Sequence, residues 1–262
     1  MSRHRVSERF ARFRKRKRAG FPVVISEGDS WFSYEFFPNI IDLIDDDEMF
    51  AHLRLEMSGD TVANMVGGSA ALDGLQSIVE EEEALFLLFS GGGNDMQNNA
   101  KGLFQDKGAP EDCLVPAVRD QLFGTLRTQL EDLIEAVGPD APVVTHGYDY
   151  FQPMDEPVRI AGFDIGIGPW FFGEMNAANI IDAPKQRAVA HVMVDLFNAD
   201  LKALKTAHQT DFVYVDLRGT LDPDTEWENE IHPTRDGFRK VKNEMLKRIS
   251  EDVRELLIDR RS

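Results

Sequence analysis

Five short apolar runs recur along the chain, at residues 23–26, 53–57, 85–89, 143–146 and 212–215. Several are near-continuous in Val, Leu and Phe rather than alternating, which suits strands covered on both faces, as in a parallel sheet. Between them the apolar period changes to that of a helix. Leu122, Leu126, Leu130, Leu133 and Val137 mark a helix within 114–137, stopped by Gly138-Pro139. Val189, Val192, Leu196 and Leu204 mark another over 185–208. Phe238, Val241, Met245, Ile249, Val253 and Leu256 predict a long final helix. Strands alternating with helices imply βαβ units, right-handed crossovers and one three-layer α/β domain.

Two segments depart from this alternation. Residues 3–18 read as a basic helix with Val6, Phe10 and Phe13 on one stripe. Its plain reading is a helix docked on the body by its two Phe residues. The sharper reading is an arm for nucleic acid, an anionic surface or the acidic body of another subunit. Residues 149–183 hold four glycines, several aromatics and no clear period. Exposing those aromatics is costly, so an ordered cap beside the active site is expected, with a secondary core built on Trp170, Phe171 and Phe172 as the alternative. The expected organisation is a basic arm, 1–18, and a single domain, 19–262, carrying the irregular cap.

The chain has 262 residues, 42% of them hydrophobic, enough for a sizeable core. Net charge is -17, but residues 1–18 hold nine Lys/Arg and one Glu. The acidic remainder argues against nucleic-acid binding in general. Cys113 is the only cysteine, which excludes an intrachain disulfide and fits a reducing compartment. No segment approaches the apolar length of a membrane span, and a cytoplasmic location is expected. The acidic runs 45–48 and 80–83 read as solvated loops or helix ends, because neighbouring carboxylates do not converge on one metal. No motif calls for a metal or organic cofactor.

The chemistry gathers at the carboxyl ends of the predicted strands, where open α/β sheets place their crevice. Gly28-Asp29-Ser30 follows the first strand, Ser58-Gly59-Asp60 the second, Gly92-Gly93-Asn94-Asp95 the third, and His232 the last. An acyl-transfer site needs a nucleophile, a base and donors aimed at an oxyanion. Ser30 fits the nucleophile and offers its own N–H. Gly59 lets a carbonyl oxygen approach a main-chain N–H, and Asn94 offers a side-chain NH2. His232, on a loop before the final helix, fits the base. His146 ends the fourth strand, as a hydrogen-bonded structural residue or a substrate contact. Trp31 either crowds the pocket or packs the first helix on the sheet. Trp170, on the cap, is a further candidate contact.

In their order and spacing these motifs resemble those of the SGNH, or GDSL-type, hydrolase superfamily, over residues 28 to 232. The resemblance implies a flavodoxin-like α/β/α sandwich with a sheet of about five parallel strands. It implies esterase, lipase, thioesterase or carbohydrate-deacetylase chemistry. Carried over residue by residue, it makes Ser30 the nucleophile, Ser30, Gly59 and Asn94 the oxyanion hole, and His232 the base. Asp29 would support the nucleophile turn. One position departs from the pattern: three residues before the His the family usually has Asp, and here Asn229 stands. An amide oxygen accepts the Nδ1–H bond without charge to stabilise the imidazolium. Asp216, Asp222, Asp224, Glu230 or a backbone carbonyl are alternative partners, and Asn229 alternatively caps the turn before Pro233.

The expectation is a serine esterase or deacylase acting on short acyl or O-acetyl esters of small molecules or carbohydrates. The alternative is a degenerate hydrolase that binds an acylated or glycosidic ligand without turnover. A third reading is an interaction protein whose basic arm docks an acidic partner. The sequence does not fix oligomeric state.

Overall fold

The computed structural model describes residues 3–160, 163–164 and 166–253. Its centre is a five-stranded parallel sheet of β1 (Val23–Gly28), β2 (Ala51–Arg54), β3 (Phe86–Ser90), β4 (Val143–His146) and β7 (Phe212–Val215), in the order β2-β1-β3-β4-β7. Counting only these strands, this is the flavodoxin-like order 2-1-3-4-5. The chain steps from β1 to β2 on one side, then returns to place β3 on the other. The crevice opened by that reversal lies at the carboxyl ends of β1 and β3, where Ser30 and Asn94 follow.

Helices cover both faces. Helices α4 (Ser69–Glu81), α6 (Pro116–Val137) and α8 (Ala183–Ala207) pack together on one face, with the short α3 (Val62–Val66). On the other, α2 (Ile40–Asp46) packs with α9 (Arg235–Arg248). The short α5 (Gly93–Asn98) follows β3. Burial on both sides explains the continuous runs: all five residues of β3 and all four of β4 are buried. Helix starts follow local rules. Pro116 occupies the first turn of α6. Asp182 and Thr234 cap α8 and α9 by accepting from Lys185 N and Gly237 N.

Two boundaries differ from the periodicity. The run 53–57 is strand only from Ala51 to Arg54, because Ala51 is the residue opposite Val23. Residues 55–57 still follow β1, with Leu55 N and Met57 N donating to Ser26 O and Gly28 O. Helix α9 ends at Arg248 and continues as a π turn to Val253; Leu256 lies outside the described residues, as does the side chain of Val6.

The basic helix α1 (Arg3–Arg18) lies along β2, the edge of the sheet. Phe13 is buried, while Phe10 is largely exposed beneath the Arg14 guanidinium. Arg16 reaches Asp45 at 2.6 Å, and both side chains are buried. Arg12 meets the same carboxylate, Arg9 meets Asp42, and Lys17 meets Glu82. Part of the acidic run 45–48 is therefore not solvated: Asp45 is the buried anchor for the arm's charges. A helix laid along an edge strand also shields it from other chains.

The aperiodic segment 149–183 contains short regular elements among its described residues. A two-stranded ribbon, β5 (Arg159–Ile160) and β6 (Phe163–Asp164), precedes α7 (Phe172–Ala177). Phe171 and Met175 join the main core, and Phe171 stacks on Phe151 at 4.4 Å. Trp170 and Phe172 stay partly exposed. Among the described residues, no helix is long and apolar enough to cross a membrane.

Candidate active site

The turn that carries Ser30 follows directly from how closely β1 and β3 approach. A Cβ on Gly28 would lie 2.9 Å from Ser90 Cβ and Ser90 O, so only glycine fits. Beyond it Asp29 N donates to Ser90 O, and Phe32 N and Ser33 N donate back to Asp29 O. The buried Asp29 carboxylate fixes this turn. Its Oδ1 accepts from Trp31 N at 3.0 Å and Ser90 Oγ at 2.8 Å, and its Oδ2 accepts from the Tyr148 hydroxyl. Burial raises the Asp29 pKa, and these hydrogen bonds oppose the rise.

Ser30 is thereby presented to His232, whose Nε2 lies 2.8 Å from Ser30 Oγ. On the other side of the ring, His232 Nδ1 lies 3.0 Å from Asn229 Oδ1. The same oxygen accepts main-chain N–H bonds from Ile231 at 3.2 Å and His232 at 3.0 Å. Two N–H donors that cannot be reversed set the amide with its oxygen toward the ring. The ring therefore carries its proton on Nδ1, and Nε2 accepts from the serine hydroxyl. Burial pushes the His232 pKa down to about 3, so the imidazole is neutral at physiological pH.

The carboxylates that were alternatives to Asn229 lie elsewhere. Asp216 pairs with Arg218, Asp222 accepts from Asp224 N and Thr225 N, and Asp224 is exposed. Glu230, fully buried, faces the cap. Its Oε2 accepts from Trp170 N at 2.5 Å and Phe171 N at 2.9 Å, and its Oε1 from Phe172 N at 2.6 Å. Burial nevertheless pushes its pKa up to about 7.

Asn94 is brought to the same cavity as Ser30. Its Nδ2 donates to Asp60 O at 2.8 Å, which ties α5 to the loop after β2. Gly59, one residue earlier on that loop, has φ +84, a left-handed conformation that favours glycine. It is exposed and does not line the cavity beside Ser30. That cavity is small, about 30 Å³, with largely apolar walls that include Trp31, Met96, Phe151, Phe171, Val194 and Ile231.

The three candidate substrate contacts separate. Trp31 lines the cavity and also packs: it stacks on His146 and donates from Nε1 to Ile231 O at 3.0 Å, joining the Ser30 turn to the loop that carries His232. His146 does not reach the cavity. It is fully buried, with Nε2 3.1 Å from Ser90 Oγ, and burial lowers its pKa to about 4. A sheet covered on both faces leaves a strand-end side chain no open side. Trp170 meets the edge of His232 with ring centroids 5.7 Å apart, beside that ring rather than in the cavity wall.

Sequence reasoning missed Tyr34, Tyr148, Phe151 and the clasp made by Glu230. Tyr34 was discoverable as part of the aromatic run directly after Ser30. Among the described residues, Glu131, Glu135 and His208 place three metal-ligand atoms within 4.8 Å of one another. They lie on α6 and at the end of α8, and none lines the Ser30 cavity.

No family model matches the sequence, nor does any curated protein. Among solved structures, the fold is similar to a member of the lipolytic G-D-S-L family from Veillonella parvula. The identity is 14% and the TM-score 0.51, over 86% of this chain and 96% of that one. A protein from Lactobacillus plantarum matches at 14% identity and TM-score 0.47, covering 88% of this chain and 97% of its own. AlinE4, an SGNH-hydrolase family esterase, matches at 17% and 0.40, covering 88% and 96%. The first of these, together with the strand order and the three layers, gives this chain the fold of the SGNH, or GDSL-type, hydrolase superfamily.

Proposed function

We propose that the protein is a serine esterase or deacylase that releases short acyl groups, O-acetyl groups foremost, through an acyl-enzyme on Ser30. The observation that carries this reading is the continuous line from Ser30 Oγ through the His232 ring to Asn229 Oδ1, with contacts of 2.8 and 3.0 Å. His232 removes the serine proton as Oγ attacks the ester carbonyl. The oxyanion is received by the Ser30 N–H and Asn94 Nδ2, whose residues both border the cavity, while the exposed Gly59 does not. His232 then protonates the departing alcohol, and a water activated by the same ring releases the acid.

The wall beside Ser30 supports a small acyl group. About 30 Å³ holds roughly two water-sized groups. The leaving alcohol, a small molecule or a carbohydrate, then lies toward solvent. Asn229 supports a second reading, a binding protein without turnover, because the amide lends the imidazolium no charge. In a serine protease, an Asp-to-Asn change at the corresponding place lowers turnover about 10⁴-fold, a penalty that arises from the wrong tautomer. Here the main-chain donors to Oδ1 favour the productive one.

The test is hydrolysis of p-nitrophenyl acetate and labelling by a fluorophosphonate. Wild type is expected to do both and Ser30→Ala neither. Full activity in pure Ser30→Ala would defeat the mechanism. An unlabelled wild type stabilised by acylated sugars would favour the binding protein.

A further inference from the structure

We propose that Tyr34 is a positioning residue that allows an uncharged Asn to serve as the partner of the catalytic base. The inference rests on the esterase reading and deepens it. Asn229 is only 1% exposed, so water does not serve its amide nitrogen. Nδ2 donates instead to the Tyr34 hydroxyl oxygen at 3.3 Å. The amide is then engaged at both ends: Oδ1 holds three N–H groups and Nδ2 holds Tyr34.

Tyr34 is itself fixed. Its ring lies 4.3 Å from the His232 ring and packs edge-on against Phe36 and Phe37. Asn39 Nδ2 donates to its carbonyl at 3.4 Å. Burial pushes its phenol up to about 12, so the oxygen it offers Asn229 is that of a neutral hydroxyl. Donation from Nδ2 also polarises the amide and makes Oδ1 a stronger acceptor for the Nδ1 proton. A carboxylate at the same place would be anionic without such help. An amide depends on the group at its far end.

The dependence gives a test with a thermodynamic cycle. Tyr34→Phe is expected to lower kcat for p-nitrophenyl acetate about tenfold with KM unchanged, the scale of one lost hydrogen bond to a buried group. In an Asn229→Asp background the same change is expected to cost less than about threefold, since a carboxylate needs no amide latch. A readout independent of turnover is the downfield proton resonance of His232 Nδ1. It is expected in wild type and in the double variant, and to be lost or broadened in Tyr34→Phe. An equal cost in both backgrounds, or an unchanged resonance in Tyr34→Phe with kcat within twofold of wild type, overturns the proposal. A wild type that neither hydrolyses ester nor is labelled at Ser30 defeats the esterase reading instead, and the resonance still decides the role of Tyr34.

Discussion

Replacing Asn229 by Asp places a charge about one hydrogen bond from the imidazole, keeps the main-chain donors to Oδ1 and removes the Nδ2 donor to Tyr34. The Nδ1···Oδ1 distance is 3.0 Å. At an effective dielectric of about 20, opposite charges near 4 Å attract by about 4 kcal/mol. That corresponds to at most ~3 pH units on the base. The new carboxylate is buried, which takes back part of the gain, although Ile231 N and His232 N remain to hold it. Since His232 starts from about 3, the acid limb of kcat/KM should rise by roughly 1.5 to 3 units. The imidazolium formed in the transition state gains the same attraction, so kcat near pH 8 should increase by at least about tenfold. The assay is a pH–rate profile from pH 4 to 9 on p-nitrophenyl acetate, with folding checked at each pH. Wild type should show no His232 limb in that window, and Asn229→Asp should show one at about pH 4.5 to 6. A folded variant with an unmoved limb and lower kcat would refute the reasoning that this amide oxygen holds the Nδ1 proton.

Two further substitutions test buried groups outside the dyad. Glu230 has a folded pKa of about 7, above its ordinary 4.5, so the native state takes up a proton between those values. Its contribution to stability is present at low pH and is lost as pH rises through about 7, by roughly 3 kcal/mol. Relative to wild type, Glu230→Gln should therefore gain about that much stability between pH 4.5 and 8 in urea titrations; a constant difference would show that this group does not titrate. His52 has the opposite sign. Both its ring nitrogens are buried without partners, and burial together with Arg54, Arg16 and Arg9 lowers its pKa to about 3. Its contribution is intact above about pH 6.5 and lost as pH falls. His52→Leu should stabilise by about 1–2 kcal/mol at pH 7 and by a further ~2–3 kcal/mol at pH 4.5. A destabilised His52→Leu would show that the ring has a partner in solution.

The placement of Ser30 and Asn94 was legible because each follows a strand within a few residues, and that of His232 because it stands just before the final helix. A sequence places strand ends well when the runs are apolar and covered on both faces, as β1, β3, β4 and β7 are. The edge strand was displaced by two residues because its apolar pattern is interrupted: His52 and Arg54 are polar yet buried. What allows this is α1, more than thirty residues upstream, and no local period encodes that contact. Arg16 and Asp45 are hidden for the same reason: two charged runs read as solvated until their long-range pairing is known. His146 shows the converse limit. Position at a strand end is readable, but which side of the end opens to the crevice depends on the neighbours, and Trp31 closes the side that His146 occupies.

In the loop before α9, three neighbouring residues face three ways. Asn229 Oδ1 faces His232 Nδ1, Glu230 grips the main chain of 170–172, and Ile231 lends its carbonyl to Trp31 beside Ser30. The segment 170–172, His232 and the Ser30 turn are thus anchored to one short peptide. Such a peptide has little freedom to shift one group without the others, since these bonds couple all three. The group facing His232 Nδ1 is an amide without charge, and the same loop supplies the two N–H groups that orient it. The absence of charge at this atom is met by constraint around it. Activity in this chain should accordingly be more sensitive to changes that loosen the loop than a site with a charged third residue would be.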